Sequence, residues 1–349
     1  MTDRTADKQK NRIDWIDAAK GITILLTIIG HSVSTGICGN TARGIIFSFH
    51  MPLFFILSCV TFRFSRDQSE FLKKVKKAFR HLIIPAMITF VLITVWQCMK
   101  DTGLITSTEY WTGKLYTLFF SSGVDLQFHG ITVNAVGIIW FFFALFAGRT
   151  IFDYGHLVTG DDKRLSIAAV LAGCAGVLCG QYRYLPFSLD IALAVQPFFL
   201  FGYFLKNYDM NKNLIRKTLI YGFIWLGTLY MTFPDYGNRT YLELAIRRYP
   251  LFPLCYLSAI AGTMFISGIS AGICKLKHLA EPLILIGKNS LYLLCVHILD
   301  RFYAGLWKVE GHQFHTALKR LIMDLAVFAV FMLIRQALQK KVPKKKQNA

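Results

Sequence analysis

The chain has 349 residues, 54% of them hydrophobic, a mean hydropathy of +0.44 and a formal net charge of +19. So apolar a composition excludes a soluble globular domain. Apolar runs recurring from Ile16 to Ala337, each near the roughly 20 residues that cross a bilayer, predict an all-α polytopic membrane protein. The basic excess follows topology: with the N-terminus cytoplasmic, inner segments hold 26 of the 39 Lys and Arg and outer segments 11, which obeys the positive-inside rule and leaves no nucleic-acid module to explain.

Ten spans are expected at about 15–35, 44–64, 82–99, 137–153, 166–182, 187–205, 215–232, 251–272, 283–303 and 318–338, a single bundle with both termini cytoplasmic. Residues 1–11 read as a disordered cytoplasmic start, 12–340 as one integral membrane domain, and 341–349 as a basic cytoplasmic tail without a lipidation signal. The first apolar run is a full span, so no secretory signal peptide is expected.

Span one, from Arg12 to Ser34, carries a polar stripe of Asp17, Lys20, Thr27, His31 and Ser34. Lys20 and His31 fall roughly 20° apart on one face and about 16 Å apart along the axis. An ionisable group in hydrocarbon costs about 2.5–3.5 kcal/mol on insertion scales, so the stripe must face the bundle interior or a wet cavity. Lys20 has a plain reading as the partner of Asp17 one turn earlier; His31 is the functional candidate.

Span two contains FSFHMPLFFILSC, residues 47–59, where Pro52 is expected to kink the helix and His50 enters near the depth of His31. The inner segment from Arg63 to Arg80 is the most basic, and serves either as a topogenic patch on anionic lipid or as a landing site for a phosphorylated ligand. The long outer segment from Lys100 to Gly137 is amphipathic and aromatic, with room for a re-entrant or lid helix. Span four holds IIWFFFALF with Trp140, readable as an interfacial aromatic belt. Span six holds Gln196-Pro197, and an outer loop from Phe233 to Pro250 carries Glu243, Arg247 and Arg248. In span nine Ser290 and His297 are seven residues apart and nearly on one face, followed by Asp300 and Arg301. The eight cysteines form no CxxC pair and read as apolar packing residues.

Under this topology His31, His50 and His297 share the outer half of the membrane, while Lys20, the 63–80 cluster and Lys288 lie toward the inner side. Each histidine alone has a plain reading as a core residue satisfied by a carbonyl. Together they suit general-base removal of an alcohol proton. No metal-ligand spacing is seen, and no metal is expected.

The stretch IDWIDAAKGITILLTIIGH resembles the opening signature of the membrane acyltransferase-3 family. FSFHMPLFFILSC, KKAFRHLIIP, IIWFFFALF and IGKNSLYLLCVH resemble its second-span, basic, Trp-Phe and late-span motifs, in order, from about residue 12 to 300. The nearest flavour is the sugar O-acetylase branch, the fucose 4-O-acetylase-like proteins. The resemblance implies a multi-pass protein of the bacterial plasma membrane. It would transfer acetyl groups from cytoplasmic acetyl-CoA, a co-substrate, to a hydroxyl of a cell-envelope glycan or lipid-linked sugar. It implies His31 as a catalytic residue and Lys20, Lys77 and Arg80 as donor-binding residues; beside them His297 is expected to be catalytic, and His50, Trp140 and Ser290 to stand at the acceptor. Lys20 and Lys77 replace the commoner arginines and lose the bidentate fork, and Cys59 stands where a glycine is common. The soluble esterase-like domain of some members is not expected. The rival reading is a non-enzymatic exporter of a glycan or lipid-linked sugar, which needs no inner basic patch.

Overall fold

A computed structural model describes residues 13–33, 36–232 and 241–341. Its framework is helical, as expected, and the two strands present lie in one short hairpin outside the bundle.

Helix α1 (Asp14–Ser32) follows an extended Ile13 and has Asp14 and Asp17 in its first turn, where negative charge complements the unpaired N–H groups. It closes as the Val33 N–H donates to the Ile29 carbonyl at 3.1 Å. Other helices pack around it on several sides. Asp17, Thr23 and Thr27 are buried, and the two threonine hydroxyls donate to carbonyls one turn back at 2.8 Å. The stripe thus faces protein, as its charge requires; Ser34 lies outside the described residues.

The second expected span is divided. α2 (Gly36–Phe47) ends before Ser48 and Phe49, and α3 (His50–Val60) begins beyond them. Pro52 falls in the first turn of α3, and the carbonyl it cannot bond is that of Ser48, four residues back, so the expected disruption of the span falls at Ser48 and Phe49. The basic segment is no loop. Asp67 caps α4 (Gln68–Ala78) by accepting from the Glu70 N–H at 2.8 Å, and α4 continues through a π-helical turn, Phe79–Ile83, into α5 (Ile84–Lys100). Pro85 cannot donate to the preceding turn, and the wider turn carries the rod past it.

The long outer segment folds into α6 (Thr108–Phe120), capped by Ser107, and a hairpin of β1 (Leu126–Phe128) and β2 (Ile131–Val133). Then come α7 (Trp140–Thr159) and α8 (Asp162–Tyr182). α9 (Leu189–Ala194) and α10 (Gln196–Phe204) belong to one pair bent by 49° ahead of Pro197. α11 (Leu214–Thr232) and α12 (Leu254–Ile273) run side by side. Span nine is broken, not continuous: α13 (Lys277–Lys288) and α14 (Ser290–Leu299) meet at Asn289 in a pair bent by 69°. α15 (Ala304–Trp307) and the 29-residue α16 (Gln313–Lys341) are the last of the described elements.

By length and composition six described helices can cross a membrane, or eight when each bent pair counts once. The other two expected spans, α1 and α11, are present as 19-residue helices whose charged residues lower their hydropathy. The core is rich in phenylalanine. Phe55 meets Phe141 at 5.3 Å and Phe199 at 5.7 Å between ring centroids, and Phe152 meets Phe199 at 5.9 Å. These rings lock α3, α7 and α10 together.

Candidate active site

Three of the histidines singled out in the sequence come together. Phe47, the last residue of α2, stands between two of them: its ring lies 5.0 Å from His31, edge-on, and 4.3 Å from His50. On the other side of His31 the His297 ring is 5.6 Å away. The Nδ1–H of His50 donates to the Phe47 carbonyl at 3.3 Å; a carbonyl can only accept, so in the neutral ring Nε2 is left with its lone pair. His31, Phe47, His50, Met51, Pro52, Ile138, Trp140 and the chain from Leu242 to Ala245 line a small, partly open cleft.

His297 does not line that cleft. It is buried behind His31, and its Nδ1 contacts Asp324 at 2.9 Å and Asp300 at 3.1 Å. The second oxygen of Asp324 accepts from the Tyr303 hydroxyl at 2.9 Å, and Asp300 accepts from Nε of Arg320. Arg320 reaches on to the His31 carbonyl at 3.4 Å and the Ser32 hydroxyl at 3.3 Å, with its guanidinium over the Trp307 ring. This network ties the end of α1 to α14 and α16. His297, Asp300 and Asp324 offer ligand atoms within 4.8 Å of one another, a spacing that fits a cation. The atoms concerned are already engaged by Arg320, Tyr303 and the imidazole proton, so the cluster reads as a hydrogen-bond network. Asp324, Arg320 and Tyr303 were not singled out in the sequence. A lone aspartate in an apolar span is a functional signal in itself and would have found Asp324.

The outer lip of the cleft is pinned twice. Glu243 pairs with Arg43 at 3.1 Å; Arg43 also donates to the Tyr241 hydroxyl at 2.9 Å and lies 4.1 Å over the Phe47 ring. Burial, with the Glu243 charge beside it, pushes the Tyr241 phenol above its ordinary value, so it stays protonated. Arg247 is fully buried against Asp190 at 2.6 Å and donates to the Ser122 hydroxyl at 3.0 Å.

A second cavity, larger and open on one side, lies at the opposite end of α3, about 17 Å along the helix from His50 by its rise per residue. Arg63, Lys74, Lys77, His81 and Arg149 line it. Lys77 was expected at a donor site and is here; Arg80 is exposed and outside the cavity wall. Arg149 was missed. Its guanidinium sits 5.1 Å from the Phe62 ring centroid and makes no hydrogen bond with the described residues. Asp153 is occupied, accepting from the Ser65 N–H at 2.8 Å and its hydroxyl at 2.7 Å. Lys20 and Ser290 line neither cavity; Ser290 opens the half-helix that carries His297.

The chain is similar to the nodulation protein NolL of Sinorhizobium fredii (strain NBRC 101917 / NGR234), 26% identical over 244 residues. That alignment covers 66% of this chain and 59% of the relative, so the chain spans less than two thirds of the curated protein it matches. Residues 13–336 match the Acyl_transf_3 family, described as an acyltransferase domain. That range takes in every element around the cleft, the buried network and the basic cavity; the chain belongs to the acyltransferase-3 family and carries its domain as an integral membrane protein.

Proposed function

We propose that the protein transfers an acetyl group from cytoplasmic acetyl-CoA to a hydroxyl of a cell-envelope carbohydrate, in the bacterial plasma membrane. The observation that carries this reading is the place of His31: on the wall of a cleft it shares with His50, Trp140 and Glu243, at the other end of the bundle from a basic cavity. In the cleft, Trp140 offers an apolar face to a sugar ring, while Glu243 and the free nitrogen of His50 accept from its hydroxyls. Lys77, Arg63, Lys74 and Arg149 suit the phosphates of the donor, and Arg149 brings a planar fork free to pair with a phosphate oxygen. Arg80 adds to the surrounding field, and Lys20 stands on the helix that links the two ends. Ser290 has no place against the sugar in this arrangement.

In the chemical step His31 takes the proton of the acceptor hydroxyl as its oxygen attacks the thioester carbonyl carbon. The tetrahedral intermediate collapses with cleavage of the carbon–sulfur bond, and the CoA thiolate leaves and takes up a proton. Position-fixed general-base catalysis contributes about 10²–10⁴-fold. His31→Ala is therefore expected to lower transfer of radiolabelled acetyl from acetyl-CoA to envelope glycan by at least about 100-fold in lipid vesicles, while the protein stays folded and inserted. Wild-type rates in that variant would remove His31 from the chemistry. Failure of the wild-type protein to consume acetyl-CoA, together with passage of glycan across the vesicle, would favour an exporter.

A further inference from the structure

Behind His31 lies a side chain whose protonation geometry the fold dictates. The two atoms facing Nδ1 of His297 are carboxylate oxygens, of Asp324 at 2.9 Å and Asp300 at 3.1 Å. Carboxylates only accept, so Nδ1 carries the proton and Nε2 of the neutral ring carries the lone pair. That Nε2 is buried and has no hydrogen-bond partner among the described residues. A buried acceptor left unpaired costs about 1–3 kcal/mol, and the aromatic ring against the His297 imidazole is that of His31, with centroids 5.6 Å apart. Asp324 is itself held, since its other oxygen takes the Tyr303 hydroxyl, and Asp300 is held by Arg320. The remaining charged and titratable groups around the pair are His50 and Arg43, on the cleft side.

From this geometry we infer that Asp324 is a positioning residue for the transfer: it fixes His297 with Nε2 toward His31, so that His297 accepts a hydrogen bond from the second ring nitrogen of His31 when His31 takes the acceptor's proton. The inference rests on the acyl-transfer reading above and deepens it. The imidazolium formed at His31 would otherwise stand beside Arg43 and Arg320 with no counter-charge in contact. Through His297 it is linked to two carboxylates, and no atom of substrate needs to reach the buried ring. The proton stays on His31 until the departing thiolate claims it, so His297 ends each cycle in the form in which it began. The logic is that of a carboxylate orienting a histidine that serves a reacting hydroxyl, lengthened by one imidazole.

Three variants and one spectroscopic measurement test it. Asp324→Asn, nearly isosteric, is expected to lower kcat about 100-fold with KM for acetyl-CoA and acceptor unchanged. Asp324→Glu should recover part of that loss, and Tyr303→Phe should cost less than either. Nitrogen-15 NMR of histidine-labelled protein, assigned with His297→Gln, should show His297 protonated at Nδ1 in the wild type and a changed tautomer distribution in Asp324→Asn. A wild-type His297 protonated at Nε2 overturns the inference whatever the enzyme's substrates prove to be. An unchanged kcat in a folded Asp324→Asn protein also overturns it, while leaving the acyl-transfer reading intact. If His31→Ala retains full activity, that reading falls on its own evidence.

Discussion

Asp190 and Arg247 face each other with side chains 0% and 1% exposed, 57 residues apart in the chain. Arg247 sits at a positive φ of 55° and also donates to Ser122 and to the Ala245 carbonyl. It thereby fixes the strip of chain, Leu242 to Ala245, that forms the lip of the cleft. Arg247→Met should destabilise the protein by about 3–5 kcal/mol, because Asp190 is left buried without its counter-charge. A double variant with Asp190→Asn should recover much of that loss. Thermal unfolding in detergent checks both. At this scale the sequence is uneven evidence. His31 was legible because a polar stripe in an apolar span has few explanations, and His297 because it sits deep in another span. Asp190 could not be paired with Arg247, since nothing in two distant residues reports their contact. Arg149 was taken for part of a charge count, and only the fold shows it opening onto a cavity.

Helices α1 and α13 approach until backbone meets backbone. A Cβ on Gly21 would run into the Leu283 carbonyl, and one on Gly287 into the Asp17 carbonyl. Both glycines let two backbones touch, as small residues do between membrane helices. Gly21→Ala and Gly287→Ala are each expected to lower stability by about 1–3 kcal/mol, the usual range for overpacking. Since α14 hangs from the end of α13, they should also lower activity; thermal unfolding and transfer rates measured side by side check this. Helix positions were readable from apolar runs of the right length, and the bend near Pro197 had a visible cause. The break at Asn289 did not: Pro282 is carried inside α13, while the bend falls seven residues later. Tertiary contacts set it, including Arg335 of α16 reaching the Asn289 side chain at 3.3 Å. The basic stretch before Pro85 is helical from Gln68, its few apolar residues falling on one face among the charges.

Over the whole molecule, the sidedness rests on the distribution of Lys and Arg. It requires the turn around Lys212 to face the cytoplasm and the turn around Thr102 to face outward. In a variant with its eight cysteines replaced by alanine, a membrane-impermeant maleimide added to intact right-side-out vesicles should label Thr102→Cys and spare Lys212→Cys until the membrane is opened. The reverse pattern would invert the assignment of donor and acceptor sides. Composition announced the fold class and the ordered motifs announced the family. The mutual arrangement of the spans, on which both cavities depend, is a product of packing that no local pattern encodes.

α16 contributes Asp324 and Arg320 to the buried network, yet only 11% of its apolar window is covered by the rest of the protein. Leu318, Ile322, Val330, Leu333 and Ile334 all point away from the bundle. At 29 residues the helix is about 44 Å long, against a hydrocarbon slab of about 30 Å. The surplus length lies in the charged ends, since Arg320 and Arg335 bracket the stretch from Leu321 to Ile334. That stretch carries Asp324, so one helix is the partition between the oil of the membrane and the histidine pair.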